Sequence, residues 1–419
     1  MNAFERRNMK IKLPEYVAEA IASLIRAGFD AYAVGGCVRD SLLGCTPADW
    51  DICTSALPGQ TARVFSGRRV IKTGLKHGTV TVIFEEGQRE NIPVEITTYR
   101  VDGAYSDNRR PDSVEFTANL REDLRRRDFT INAMAYNPKA GLVDFFSGRE
   151  DIERRLIRCV GEPSKRFGED GLRILRALRF AACLGFQIEE ITADAIRRQK
   201  KLLSNIARER IGNELQRLLR GVNAGEILLE YIDVLDEAMP GISSMPDIAA
   251  VSKSFERMGV GSADICARLA LLLAGYPGDG RALLEGIRLP KTIIENSLQA
   301  ADYVAREISP DEGRLKRLLN KVGAEQALRI IAVKKALGED MTRQEDALSR
   351  IISTKQCFQL TDLEISGHDL LALGHPPGRE IGRTLNILLE MVMDGELENK
   401  RSALVEEVKK AKEMRKNDI

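Results

Sequence analysis

The sequence contains very little histidine: His77, His368 and His375 are the only three in 419 residues. His368 precedes Asp369, but no other histidine lies near enough in the chain to complete the His-Asp cluster that metal-dependent phosphohydrolases use. The seven cysteines include no C-x-x-C pair. We therefore expect no histidine-rich metal centre, no phosphatase side activity, no zinc site and no disulfide framework, and we expect the cysteines to be scattered reduced thiols.

The chain also lacks long apolar runs and an excess of charge of either sign. No run approaches the ~18 apolar residues that a membrane-spanning helix needs, and residues 1–12 lack the apolar core of a signal peptide. We expect a cytoplasmic protein with no membrane role. The 63 Lys and Arg residues against 62 Asp and Glu argue against a protein that coats nucleic acid by bulk charge, although local basic surfaces stay compatible with this balance.

The distribution of apolar residues predicts an α/β head followed by a long helical part. Runs rich in Val, Ile, Thr and Phe at residues 31–34, 79–84 and 92–97 indicate strands. From about Pro163 onward apolar residues recur every three to four positions and no convincing strand follows. The length is compatible with two to four domains. The predicted boundaries are residues 1–160, 161–222, 223–340 and 341–419.

Local charge is less even than the total charge. Residues 195–220 contain eight basic residues against two acidic ones, residues 314–335 seven against one, and residues 400–416 seven against three. Such clusters are often solvated helix faces, but three of them in one helical part predict contact with a polyanion.

A double glycine marks the first candidate site. Gly35 and Gly36 follow the strand at 31–34 and precede a helix that contains Arg39. Glycines let the backbone approach a ligand closely, and the N–H groups that begin a helix can hold phosphate oxygens. Arg39 can add a cationic contact.

Two carboxylates follow this turn. Asp49 and Asp51 are two residues apart at the start of the next predicted strand, which places both side chains on one face. Oxygen ligands alone favour Mg²⁺ or Mn²⁺ over Zn²⁺. A metal clamp of this kind suits phosphoryl or nucleotidyl transfer, and Glu95, on the predicted strand 92–97, could supply a third carboxylate.

The pattern from Gly35 to Asp51 resembles the signature of the nucleotidyltransferase superfamily headed by DNA polymerase β. In its fuller form, GGCVRD-x3-G-x4-D-x-D, it resembles the branch of class II tRNA nucleotidyltransferases, which includes bacterial CCA-adding enzymes, and bacterial poly(A) polymerases. Residues 126–133, RRDFTINA, and 169–180, EDGLRILRALRF, are similar to two further motifs of that branch.

The third motif has a geometry that we interpret directly. Asp170, Arg173 and Arg176 are spaced by three and are predicted to share one helix face. An Asp accepts a hydrogen bond from an exocyclic amine, whereas an Arg donates to a ring nitrogen or carbonyl. This face could therefore read the Watson–Crick edge of cytosine or adenine in place of a nucleic acid template.

The resemblance implies an α+β fold, with a polymerase-β-like nucleotidyltransferase α/β head (1–160), followed by an all-α neck for base recognition (161–222), body (223–340) and tRNA-binding tail (341–419). It implies that Asp49 and Asp51 hold Mg²⁺ and that Glu95 orients the attacking hydroxyl. Gly36 and Arg39 would contact the triphosphate of CTP or ATP, and Arg127 the sugar or phosphates. Asp170 and Arg173 would read the base, supported by Arg176 and Arg179.

Two more segments resemble the family. Residues 99–116, rich in Gly, Ser, Asn and Pro at their centre, look like the flexible loop of members that add the terminal A. Residues 367–399 resemble the tail of bacterial CCA-adding enzymes.

We thus expect template-independent addition of C, C and A to the 3′ end of tRNA, with release of pyrophosphate, by a monomer or homodimer. An A-adding enzyme, a poly(A) polymerase and a catalytically idle RNA-binding protein are the alternatives.

Overall fold

The structure is a computed structural model that describes residues 10–86, 89–103, 113–259 and 264–417. Residues 104–112, the centre of the predicted flexible loop, lie outside these ranges. The chain divides into two compact units. The first contains the described residues up to Ser243 together with Gly286–Arg288, and the second contains Ser244–Glu285 and the residues from Leu289 onward.

A seven-stranded mixed sheet is the framework of the first unit. Its order is β3-β4-β5-β2-β1-β8-β9, and only β2 and β5 pair in parallel. Strands β6 and β7 form a separate antiparallel pair, and β10 pairs in parallel with β11. The bounds are β1 Ala31–Val34, β2 Asp51–Thr54, β3 Val70–Ile71, β4 Thr79–Glu86, β5 Arg89–Thr98, β6 Arg100–Asp102, β7 Val114–Phe116, β8 Met134–Asn137, β9 Gly141–Asp144, β10 Leu156–Ile157 and β11 Gln187–Ile188.

The helices of the first unit surround this sheet and continue beyond it. Their bounds are α1 Glu15–Arg26, α2 Gly36–Leu42, α3 Pro58–Val64, α4 Leu120–Arg125, α5 Gly148–Glu153, α6 Pro163–Glu169, α7 Leu172–Leu184, α8 Glu190–Gln199, α9 Arg208–Leu219, α10 Ala224–Glu230 and α11 Ile232–Ala238. Helix α1 packs on β1 through a stripe with helical spacing, which includes the buried residues Val17, Ile21 and Leu24. Helices α7 and α9 pack against each other.

The second unit is helical. Its helices are α12 Ile248–Met258, α13 Ile265–Gly275, α14 Gly280–Gly286, α15 Lys291–Asp302, α16 Glu312–Val322, α17 Ala324–Ala336, α18 Thr342–Ser353, α19 Gly367–Ala372, α20 Arg379–Met393 and α21 Arg401–Asn417. Leu370, Leu388 and Leu389 from the family-like tail segment belong to one buried apolar cluster. Asn399 accepts a hydrogen bond from the Glu364 N–H and donates one to the Asp362 carbonyl. These tail residues therefore stabilise the fold of the segment.

The predicted strands at 31–34, 79–84 and 92–97 are all present as β1, β4 and β5. The expectation that strands end before Pro163 is wrong at one place, since β11 closes the short pair with β10. All seven cysteines are free thiols, as expected. Among the described residues, none of the helices is both long and apolar enough to cross a membrane. The predicted boundaries near residues 160, 222 and 340 stay predictions.

The basic segment 314–335 is less exposed than predicted. Arg329 is buried and pairs with Asp264 at 2.6 Å, and Lys334 is buried and pairs with Glu339 at 2.7 Å. The two carboxylates compensate the buried charges of these cations, so the cations are not available to a polyanion.

Candidate active site

The sheet brings the three predicted carboxylates together. Strand β2 begins at Asp51, Asp49 lies two residues earlier, and Glu95 is the partner directly opposite Asp51 on the parallel strand β5. Directly opposite residues on neighbouring strands point to the same face, about 5 Å apart at their backbones. All three side chains are exposed, whereas Ile52 and Cys53 anchor the strand in the core. The result is an acidic group that solvent and ligands can reach.

The carboxylates repel one another. The pKa of Asp51 is raised to about 6, chiefly by partial desolvation, then by the charges of Asp49 and Glu95, and Arg127 opposes the rise. The Asp51 side chain is accessible to a cation. The part of the pKa shift that concerns cation binding is therefore the repulsion of Asp51 by Asp49 and Glu95.

This donor set fits a hard divalent cation. Within the described ranges no group of three or more His, Cys, Asp or Glu residues forms a ready-made metal cluster. Magnesium sites in nucleotide-handling enzymes commonly use one or two carboxylates and complete the shell with substrate phosphates and water. Asp49 and Asp51 satisfy that requirement.

The double glycine lies beside the carboxylates. Gly35 has φ of 83°, in the left-handed region, and a Cβ there would meet the Arg127 Nη1 atom at 2.8 Å. Only glycine therefore lets the Arg127 guanidinium approach this turn without strain. Arg39, on α2, donates from Nη1 to the Asn132 Oδ1 atom at 2.6 Å.

A buried ion pair connects this turn to helix α7. Asp128 is buried and accepts from the Asn132 side chain at 3.1 Å, while its Oδ2 atom lies 2.6 Å from Nη2 of Arg176. Burial alone would raise the pKa of Asp128, but the Arg176 charge and the Asn132 hydrogen bond hold it well below its usual range. Arg39, Asn132, Asp128 and Arg176 thus form a continuous polar chain from α2 to α7.

Arg179, the second supporting arginine predicted on α7, pairs with a residue of helix α9. The Nε atom of Arg179 lies 2.9 Å from the buried carboxylate of Glu214. The ring of Phe180 lies beneath three guanidinium groups, 5.0 Å from Arg39, 5.5 Å from Arg176 and 4.0 Å from Arg179. Cation–π attraction adds to the ion pairs that hold these cations, since Arg39 lies 2.7 Å from Asp40, Arg176 2.6 Å from Asp128 and Arg179 2.9 Å from Glu214.

The prediction that Asp170, Arg173 and Arg176 share one helix face is wrong for Asp170. Helix α6 ends at Glu169 and α7 begins at Leu172, so Asp170 lies between them with φ −144° and ψ 104°. Its Oδ1 atom accepts from the Leu172 N–H at 3.1 Å, a local turn that competes with helix formation.

Arg173 and Asp170 have different partners. Arg173 is buried, with Nη1 donating to Glu169 Oε2 at 2.6 Å and Nη2 to the Arg126 carbonyl at 3.1 Å. The Asp170 carboxylate pairs with Arg210 of α9 at 2.8 Å. Arg173 and Asp170, the two residues predicted to read the base, are thus held by different partners.

Four functional-site neighbours were missing from the predicted set: Asp128, Asn132, Arg210 and Glu214. Asp128 and Asn132 stand inside the 126–133 motif, and their burial was the missing information. Arg210 and Glu214 lie in a segment that looked like a basic surface, and nothing in its sequence indicates pairing with residues 35–40 positions earlier.

A cavity of about 630 Å³ opens beside this region. Strand β6, helix α4 and helix α6 line it, with Arg126, Arg166 and Glu169 among the lining residues. Its size is in the range of small-molecule sites.

Family models match three parts of the chain. Residues 31–158 match the model described as "Poly A polymerase head domain", residues 185–245 the one described as "Probable RNA and SrmB-binding site of polymerase A", and residues 262–408 the one described as "tRNA nucleotidyltransferase domain 2 putative". Together with the carboxylates on the sheet, these matches define a nucleotidyltransferase.

Individual proteins define the family more narrowly. A CCA-adding enzyme of Geobacillus kaustophilus is 37% identical over 92% of this chain and 94% of its own, and that of Lactococcus lactis 36% over 97% and 99%. The crystal structure of the Bacillus stearothermophilus CCA-adding enzyme in complex with CTP has a TM-score of 0.77 at 32% identity, covering 97% of this chain and 100% of that chain. The chain belongs to the family of bacterial CCA-adding enzymes.

Membership confirms the resemblance, the α+β fold class with its nucleotidyltransferase head, and the enzyme class. Enzymes of this family are tRNA nucleotidyltransferases and generally depend on a metal.

Proposed function

We propose that this chain adds C, C and A to the 3′ end of tRNA from CTP and ATP, without a nucleic acid template, and releases pyrophosphate. The observation that carries the proposal is the placement of Asp51 directly opposite Glu95, with Asp49 beside them, in a chain of this family. The terminal hydroxyl of tRNA attacks the α-phosphorus of the incoming nucleotide, and the bond to pyrophosphate breaks.

The carboxylates have distinct roles in this proposal. Asp49 and Asp51 hold Mg²⁺, which neutralises charge on the transferring phosphate when bound. Glu95, on the neighbouring strand, orients the attacking hydroxyl. The exposed position of all three side chains allows both substrates to reach them.

The surrounding groups position the nucleotide. The backbone at Gly36 and the side chain of Arg39 contact the triphosphate, and Arg127, which lies against the Gly35 turn, contacts the sugar or phosphates. Arg173 and Asp170 present a donor and an acceptor to the base.

Two arginines of α7 support these groups. Arg176 does so through Asp128 and Asn132, and Arg179 through Glu214.

The macromolecular substrate binds through the helical part. Basic residues of 195–220, 314–335 and 400–416, apart from the paired Arg210, Arg329 and Lys334, contact phosphates of the acceptor arm, so tRNA affinity should fall with salt. We also propose the four-part organisation with boundaries near residues 160, 222 and 340, a monomer or homodimer, and a cytoplasmic location, where tRNA, CTP and ATP are available.

Metal binding should depend on pH through Asp51. Its pKa of about 6 means that protons compete with the cation below that pH, because the protonated carboxyl is a poor ligand. The Mg²⁺ concentration for half-maximal CTP incorporation should be nearly constant from pH 7 to 8 and rise up to about tenfold per unit below pH 6. A flat profile from pH 5 to 8 would contradict this assignment.

Product analysis tests the activity itself. Transfer RNA ending at the discriminator base is incubated with CTP, ATP or both, and the products are separated by length. We expect two added residues with CTP and three with both nucleotides.

The alternatives give other products. Failure with CTP, but addition of one A to tRNA ending in CC, would identify an A-adding enzyme. Long tails from ATP would identify a poly(A) polymerase, and no product under any condition an idle RNA-binding protein.

A further inference from the structure

The carboxylate of Asp170 is held by a side chain from a distant part of the chain. Arg210, 40 residues later on α9, donates from Nη2 to Oδ2 at 2.8 Å and from Nη1 to Oδ1 at 3.4 Å. The pair is only partly accessible, with 26% of the Arg210 side chain and 16% of the Asp170 side chain exposed. A two-pronged contact of this kind fixes the plane of a carboxylate as well as its position.

The contact with Arg210 sets the direction of the Asp170 side chain, which the local backbone does not set. Asp170 lies between α6 and α7, so helical geometry does not set the direction of its side chain. The backbone next to it is constrained, because a Cβ at Gly171 would meet the Leu202 Cβ atom at 3.0 Å. The turn therefore has no room for a side chain at residue 171, while the hydrogen bonds that orient the Asp170 carboxylate come from Leu172 N–H and Arg210.

The remaining hydrogen-bonding capacity of Asp170 is small. An ionised carboxylate offers about four acceptor positions and no donor. Leu172 N–H and the two Arg210 bonds use three of them. One position is left, on Oδ2, and it can only accept.

We infer that Arg210 is a specificity-determining positioning residue, which holds Asp170 as a fixed single acceptor for the exocyclic amine of cytosine or adenine. The inference rests on the proposed function. Uracil and guanine carry a carbonyl oxygen where cytosine and adenine carry the amine, so a fixed acceptor repels them. A carboxylate freed from Arg210 can turn away, and the penalty against UTP and GTP falls.

The test measures kcat/KM for all four nucleotides on tRNA ending at the discriminator base for CTP and UTP, and ending in CC for ATP and GTP. Arg210→Ala is expected to lower the CTP-to-UTP and ATP-to-GTP ratios about tenfold, the size of one charged hydrogen bond. Arg210→Lys keeps the charge but not the fork, and should give intermediate ratios. If the alanine variant does not fold, the nucleotide ratios of Arg210→Lys alone test the inference.

A double variant separates positioning from general damage. If Arg210 acts through Asp170, then Asp170→Ala with Arg210→Ala should have the same ratios as Asp170→Ala alone. Arg154→Ala is the matched control, because it removes an Arg–Glu150 contact of 2.6 Å whose side chains are more than half exposed. Its ratios should equal those of the wild type.

Each outcome decides between the two proposals. Unchanged ratios in Arg210→Ala, or an equal fall in kcat/KM for all four nucleotides, would overturn the positioning role while leaving the proposed function intact. Absence of CTP and ATP incorporation by the wild-type enzyme would overturn both.

Discussion

Replacing Asp51 with asparagine is expected to lower the rate of CTP and ATP incorporation about a thousandfold, because it removes a negatively charged ligand of the proposed metal site. A bound metal ion stabilises the charge of the transition state by several kcal/mol. The amide keeps the size of the side chain and one oxygen but loses the negative charge. Single-turnover incorporation into tRNA with saturating nucleotide measures the effect on chemistry directly.

The same variant should fold at least as well as the wild type. The raised pKa of Asp51 means that the folded protein disfavours the charged carboxylate, first through desolvation and then through Asp49 and Glu95. A raised pKa in an acid lowers stability as pH rises through it, so at neutral pH the charged Asp51 destabilises the fold. Removing the charge should leave the unfolding temperature in metal-free buffer unchanged or higher.

Two control measurements test whether the loss of incorporation comes specifically from the metal site. Nucleotide binding without metal should change little, because Arg39 and Arg127 are untouched. Glu150→Gln, an exposed carboxylate in the same unit that pairs with Arg154, should incorporate CTP at the wild-type rate. Wild-type incorporation by Asp51→Asn would remove Asp51 from the metal site.

The acidic group was predictable from the sequence because it depends on local order. The strand at 31–34, the double glycine and the next strand occur within 24 residues. Asp49 lies only two residues before Asp51, the first residue of β2, so their closeness follows from their separation in the chain, although Asp49 is outside the strand. Glu95 required one long-range fact, the parallel pairing of β2 with β5, which the motif suggested but could not fix in register.

The base-reading region was less predictable for a physical reason. The spacing of Asp170, Arg173 and Arg176 fits a helix, but the side chain of Asp170 bonds to the Leu172 N–H and Gly171 lies against Leu202. These contacts place the beginning of α7 two residues after Asp170. Periodicity identifies the helix, whereas its first residue depends on competition between side-chain and backbone hydrogen bonds.

Long-range charge pairing was not predictable at all. Arg176 and Asp128 are 48 residues apart, and Arg179 and Glu214 are 35 apart. Asp128, Arg176 and Arg179 belong to the family-like motifs at 126–133 and 169–180, and Glu214 belongs to the basic segment 195–220. None of these patterns shows which charges pair or become buried once the elements pack. The basic count of residues 195–220 therefore overstates the charge available to RNA, because Arg210 is committed to Asp170.

Replacing Arg176 with leucine is expected to lower the free energy of unfolding of the first unit by about 3 kcal/mol at pH 7, because it leaves the buried Asp128 carboxylate without its cation. Denaturant unfolding, followed by a probe in the first unit, measures the loss. Arg154→Leu removes an exposed Arg–Glu contact with the same 2.6 Å separation and should cost less than about 1 kcal/mol.

The pH dependence of this loss identifies its cause. In the wild type the pKa of Asp128 is depressed, so its contribution to stability is fully present above the ordinary carboxyl value of 3.8 and is lost as pH falls below that value toward the depressed pKa. Without Arg176, burial dominates and raises that pKa, so the variant gains stability relative to the wild type as pH falls. The stability difference should therefore narrow steadily between pH 7 and pH 4. A difference that is constant over this range would mean that Arg176 stabilises the unit by packing on Phe180 and not by its charge.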